Sequence, residues 1–371
     1  MNPSPPLLDL LGVEWDVKSA VVAVAWDGPN RTVACACADG VLVLAQSVWP
    51  QGPHLAPRPE GGGLAVVAAT QAAPEPLRVR AHPKACLAMQ ADRLGGFVSG
   101  GAEGRVVHVS VSGGCSQLAR LPGQAIHAVA SGSAGTRAWA AGRQLYRQRL
   151  QQLEQIELPG PASDLAFDPT GHCLAAAHVG GATLWPLAQA ETTVAPAPQS
   201  LAWPGQHSGL AWHPDGSVLA GASQGEMMHA WRVADGADIV LPSNPNQPHR
   251  LAFSSDGRWL LTSGSPQPLA WRFDLPLVTA PPQRFGTASQ ALVCQVACHP
   301  GQPLVACGYT NGAIALCQPG RADVLVLRAA GAAEVSALAW SADGSRLAFG
   351  SADCRFGWVH LPAELFRFPT A

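Results

Sequence analysis

The sequence predicts an all-β chain in which eight repeated units of four short strands close into a single ring. Two observations carry that prediction. A strand, turn, strand pattern recurs along almost the whole chain at a mean period of about 45 residues, the length of one four-stranded blade. The strands also alternate small and bulky apolar residues, so both faces of each unit need burial, which only stacked neighbours can supply.

The clearest copies run Leu165-Ala166-Phe167-Asp168-Pro169-Thr170-Gly171, Leu210-Ala211-Trp212-His213-Pro214-Asp215-Gly216, Leu251-Ala252-Phe253-Ser254-Ser255-Asp256-Gly257 and Leu338-Ala339-Trp340-Ser341-Ala342-Asp343-Gly344. Each is an apolar strand ending in an aromatic, followed by a Pro/Asp/Gly-type turn and a second apolar strand. Third strands ending in Trp185, Trp231 and Trp271 follow three of them, and weaker copies end at Trp26, Met89, Ala130 and Cys298. Residues 1–371 therefore read as one β-propeller of eight blades, or of seven if the irregular unit from Ile126 to Leu150 is not a proper blade. A ring leaves only short, protected edges, whereas a linear stack needs polar caps. Trp49 to Gly63, rich in Pro and Gly, reads as a loop inserted after the third strand of blade one. The last unit ends soon after His360 with no fourth strand of its own, so the segment from Leu11 to Val17 is expected to supply it and close the ring. Trp212 and Trp340 are expected to be buried between blades.

These motifs resemble the WD-repeat family, with its Ala-Trp or Ala-Phe pair, Pro-Asp-Gly turn, Leu-Ala-x-Gly second strand and third strand ending in Trp. The resemblance covers nearly the whole chain and is strong over residues 160–360. The hallmark Trp-Asp pair is missing: Pro186, Arg232 and Arg272 follow the three tryptophans, and Cys317 takes the place in the seventh unit. The Gly-His pair before the first strand is missing as well, so the family's internal His-Asp network is not expected in full. The late repeats are similar to those of bacterial WD-repeat proteins encoded beside metal-chaperone GTPases, which implies such a GTPase as one candidate partner.

Composition narrows the function. Lys and Arg number 23 against 25 Asp and Glu, a net charge of −2, so no positive field gathers a polyanion and nucleic acid is not an expected partner. The chain is 47% hydrophobic with a mean hydropathy of +0.11, too apolar for disorder. No apolar run approaches the roughly 18 residues a membrane span needs. The first 15 residues lack a basic start before the Leu7 to Leu11 patch, so a cytoplasmic, membrane-free location is expected.

The ten cysteines are scattered singly and read as reduced core residues. Cys294, Cys298, Cys307 and Cys317 fall in one unit, but without a Cys-x-x-Cys pair no metal or other cofactor is expected. His82, His213 and His299 each precede a proline and read as turn elements. Met227-Met228, between the second and third strands of the fifth unit, reads as one buried methionine and one packed on a neighbour, with an adaptable contact as the alternative. No nucleophile elbow, phosphate loop or zinc-protease helix occurs.

The resemblance implies a non-catalytic scaffold that binds a protein or peptide partner on the face carrying the loops into each first strand. Residues on those loops form the expected binding set: Lys84, Asp164, His207, His249, Arg250, Gln295 and Glu334. His207 and His249, on adjacent blades, are expected to share a region where protonation near pH 6.5 tunes binding. The alternative is a propeller enzyme, a hydrolase or lyase working at the central channel. That reading needs matching acids, histidines or ligands from several blades, and the mixed polarity of these positions suits a peptide better.

Overall fold

The protein is described by a computed structural model covering residues 5–58, 63–187, 197–223, 228–241, 248–274 and 281–366. Antiparallel four-stranded sheets form blade one (Val21–Trp26, Thr32–Cys37, Val41–Gln46, Leu77–Arg80), blade two (Cys86–Ala91 to Cys115–Arg120) and blade three (Ala128–Ser131 to Gln152–Glu157). Blade six runs from Leu251–Phe253 to Gln283–Arg284 and blade seven from Val293–Cys298 to Val324–Arg328. Blades four and five share one six-stranded ladder. Its long strand Cys173–Pro186 gives its first half to Ala162–Phe167 and its second half to Gln199–Trp212, breaking register beside Gly180 and Gly181, both at positive φ. The far end of Gln199–Trp212 then becomes the innermost strand of blade five.

Blade eight consists of Val335–Trp340, Arg346–Ser351 and Arg355–His360, and its outer strand is Gly12–Asp16 from the opposite end of the chain. Gly12 pairs with Val359 and Asp16 with Arg355, the closure expected from sequence. Around it, Leu11 and Val17 are fully buried, and Glu14 accepts hydrogen bonds from the guanidinium of Arg328, itself buried, with Nε at 3.1 Å. Eight apolar clusters fill the structure, one per seam between neighbouring blades, which settles the number at eight. Helix among the described residues is confined to Leu7–Leu11 and two short 3₁₀ turns, and none is long and apolar enough to cross a membrane.

Neighbouring innermost strands are tied by one repeated bond. The indole N–H at the strand end donates to the alanine carbonyl at the equivalent strand of the preceding blade: Trp340 to Ala297 (3.0 Å), Trp212 to Ala166 (3.2 Å) and, across the closing seam, Trp26 to Ala339 (2.9 Å). Cys298 stands in the same place with its thiol 4.0 Å from the Ala252 carbonyl. Trp26 is buried, but Trp212 and Trp340 are only half-buried, against expectation, because the strand ends at the rim of the ring where one ring edge meets solvent. The residue after the strand end then caps the turn. Asp27 and Asp168 accept from backbone N–H groups through a carboxylate oxygen, Ser254 and Ser341 through a hydroxyl, and His299 through Nδ1, which explains the His-Pro pair as a turn element.

Two strand ends shift from their expected places. In blade two it is Ala91, paired with Phe97, and in blade three Ser131, paired with Arg137, rather than Met89 and Ala130. The Trp49 to Gly63 stretch contains half of a hairpin, His54–Pro57 paired with Leu64–Val67, rather than a structureless loop. Gly61 and Gly62 within it, and Met227 of the Met227-Met228 pair, lie outside the described residues; Met228 is buried.

Candidate binding cleft on the loop face

In an up-and-down blade, the loops into the first strand and the turns between second and third strands reach the same face of the ring. Close packing there begins at blade one. Gly40, at φ +87° in its second turn, lies against the loop into blade two so tightly that a Cβ would sit 2.1 Å from the Lys84 carbonyl. Blade two keeps a remnant of the histidine network: His82 lies 2.8 Å from Glu103 through Nδ1 and 2.9 Å from the Ser99 hydroxyl through Nε2.

Blades six and seven use hydroxyls instead. Ser263 Oγ, in the second-to-third-strand turn of blade six, accepts from the backbone N–H groups of His249 (3.1 Å) and Arg250 (3.0 Å). Thr310 Oγ1 does the same for Leu292 (3.1 Å) in blade seven. Each short hydroxyl pins an incoming loop while leaving the loop's own side chains free to face outward. Gln295 reaches across the next seam, donating from Nε2 to the Ser336 carbonyl at 2.8 Å, and the Cys294 thiol lies 3.1 Å from the Val335 carbonyl.

The result is an open cleft of about 590 Å³ spanning blades five to eight. Four of the seven expected residues line it: His249, Arg250, Gln295 and Glu334. Ser208, Ser263, Thr310 and the exposed Leu292 complete its character, one cation and one anion set among hydroxyls and apolar surface. Sequence reasoning missed these four, since neither small hydroxyls in turns nor a single leucine ahead of a strand carries a distinctive signal.

The other three expected residues are placed differently. Asp164 sits on the innermost strand of blade four and accepts from the N–H groups of Leu165 and, across the seam, Leu210, each at 2.9 Å. Burial raises its pKa, opposed by those two backbone bonds and by the charge of Arg250. It is a brace beside the cleft. Lys84 is exposed on the loop into blade two, apart from the cleft.

His207 is a correction: its ring is fully buried, 5.4 Å from the Trp231 ring, and Ser208 takes its place on the cleft wall. Burial first, then the neighbouring imidazoles of His229 and His178, push its pKa down to about 4. It therefore stays neutral near pH 6.5 and does not tune binding there.

The thiol in the cleft, Cys294, is not an activated nucleophile: burial and Glu334 push its pKa up to about 12. Among the described residues no group of three or more His, Cys, Asp or Glu is arranged to hold a metal ion. All ten cysteines are free thiols.

Residues 323–356, covering the outer strand of blade seven and the first two strands of blade eight, match the family described as WD domain, G-beta repeat. The chain is also similar to a solved structure titled "Structure of Dos1 propeller", with a TM-score of 0.69 and 12% identity over 96% of this chain and 97% of that one. The chain is an eight-bladed β-propeller in which one stretch, residues 323–356, matches the WD-repeat family. No curated protein matches the chain in sequence. At 12% identity the solved propeller speaks for the fold alone.

Proposed function

We propose that this WD-repeat propeller is a non-catalytic scaffold that binds a peptide segment of a protein partner in the cleft of blades five to eight. Propellers of this repeat class generally serve as protein-interaction scaffolds. The observation that carries the reading is the convergence of His249, Arg250, Gln295 and Glu334 on one cleft whose incoming loops are fixed by Ser263 and Thr310. A rigid site with a few placed polar groups and apolar surface between them orients a ligand without reacting with it. Arg250 and Glu334, of opposite sign, favour a segment carrying both charges. The metal-chaperone GTPase suggested by the late repeats is the first partner to try.

The test is to capture partners with the tagged protein, purify the one captured, and titrate it against the wild type, Arg250→Ala and Glu334→Gln. Each variant is expected to weaken binding by roughly 1 kcal/mol or more with unchanged melting. Equal affinity for all three proteins would refute the assignment of the cleft.

A further inference from the structure

We infer that the seam between blades three and four carries a second binding site, on the face opposite the first cleft, that receives an acidic side chain of a protein segment. The seams are filled mainly by apolar and aromatic side chains, and so is the inner part of this one: Ala138 packs with Leu165, Leu174 and Trp185. Register changes its outer part. Ala138 pairs with Arg147 and Arg147 with Glu154, so all three share the face turned to blade four. The period of two puts Thr136 on that face as well, and Arg149 and its partner Gln152 with it. Between them and Leu187 of blade four opens a cleft of about 430 Å³.

Two donors in this cleft lack partners. The Arg147 side chain is only 16% exposed; its Nε and Nη2 donate to Glu154 Oε2, Nε at 3.0 Å, while Nη1 is buried without a hydrogen bond. Thr136 is 1% exposed and its Oγ1 is likewise buried and unpartnered. Buried donors are almost always satisfied, and two orphans lining one opening mark a place for an oxygen ligand. The Arg147 guanidinium and the Thr136 hydroxyl fit a carboxylate, with two oxygens for the two donors, better than a phosphate dianion, which Glu154 would repel.

The rim points to a protein segment rather than a free anion. Leu153 is 57% exposed, and Leu150, 81% exposed, is held at φ +55° in the turn beside the cleft. A leucine in the left-handed region with its side chain in water is doubly unfavourable unless something covers it. Leucines around an acid receptor suit an acidic residue flanked by apolar ones.

The experiment is calorimetric titration of the full chain with N-acetyl-Leu-Glu-Leu-Leu-amide, with the same peptide carrying Gln for Glu, and with inorganic phosphate. The Glu peptide is expected to bind at least tenfold tighter than the Gln peptide. Arg147→Gln should abolish that preference. Thr136→Val, which keeps every charge, should weaken the Glu peptide about fivefold, the size of one hydrogen bond. Arg250→Gln, in the first cleft, should leave the titration unchanged, so the two sites stand or fall separately. Equal binding or no binding of the two peptides, tighter binding of phosphate than of the Glu peptide, a preference that survives Arg147→Gln, or one lost in Arg250→Gln would each overturn the proposal.

Discussion

Leu11→Ala tests the closure of the ring at its most concentrated point. Leu11 is fully buried where the short N-terminal helix hands over to the strand that completes blade eight, packed among Val359, Leu361 and Leu327. Truncating a buried leucine costs about 2–5 kcal/mol, the lost transfer energy plus the cavity left behind. With an unfolding entropy of about 2.1 cal/mol/K per residue, a chain of this length loses roughly 3–6 °C in Tm for that cost. Differential scanning calorimetry of the wild type, Leu11→Ala and Leu94→Ala would read it, since Leu94 is an exposed leucine on a turn and should change nothing. Deleting residues 1–18 should lower Tm further, because Glu14 leaves with the strand and Arg328 is stranded in its buried position. If Leu11→Ala and the deletion both melted within about 1 °C of the wild type, well below the shift worked out above, the N-terminal strand would not be closing the ring.

Trp26→Phe removes the indole donor at the closing seam and leaves the Ala339 carbonyl unpaired, so chemical denaturation should show a loss of about 1 kcal/mol from the hydrogen bond, besides any loss of ring packing. The pH dependence of stability should carry the mark of His207. Its folded pKa, about 4, lies below the unfolded value, so the unfolded chain binds its proton first and the stability contribution, full above about pH 6.5, is lost as pH falls toward 4. His207→Asn should flatten the stability profile across that window, and an unchanged slope would show that the ring is not responsible.

The fold was legible because its evidence is periodic. Eight copies of one pattern, each needing two neighbours, admit few arrangements, and the missing fourth strand at one end together with a spare strand at the other points to closure. The register slipped in blades two and three, where the aromatic marker is absent: Met89 looked like the substitute, but Asp92, which accepts from the Leu94 N–H at 3.1 Å, sets the turn two residues later than that marker implied. The cleft was half legible. Loop position named His249, Arg250, Gln295 and Glu334, because polar residues at the mouths of otherwise apolar strands stand out. It misplaced His207, whose direction depends on space beside Gly221, where a Cβ would lie 2.8 Å from the imidazole Nδ1. The polar seam of blade three gave no signal, since Arg147, Arg149 and Glu154 read like the solvent face of any outer strand until the register turned them toward blade four.

The most direct test of the central claim is the affinity of the purified partner for Arg250→Ala compared with the wild type, measured by calorimetry on proteins of matched melting temperature. The account predicts a loss of roughly 1 kcal/mol or more, with Lys84→Ala, on the same face outside the cleft, binding as the wild type does. Full affinity in Arg250→Ala, or a loss in Lys84→Ala alone, would contradict it.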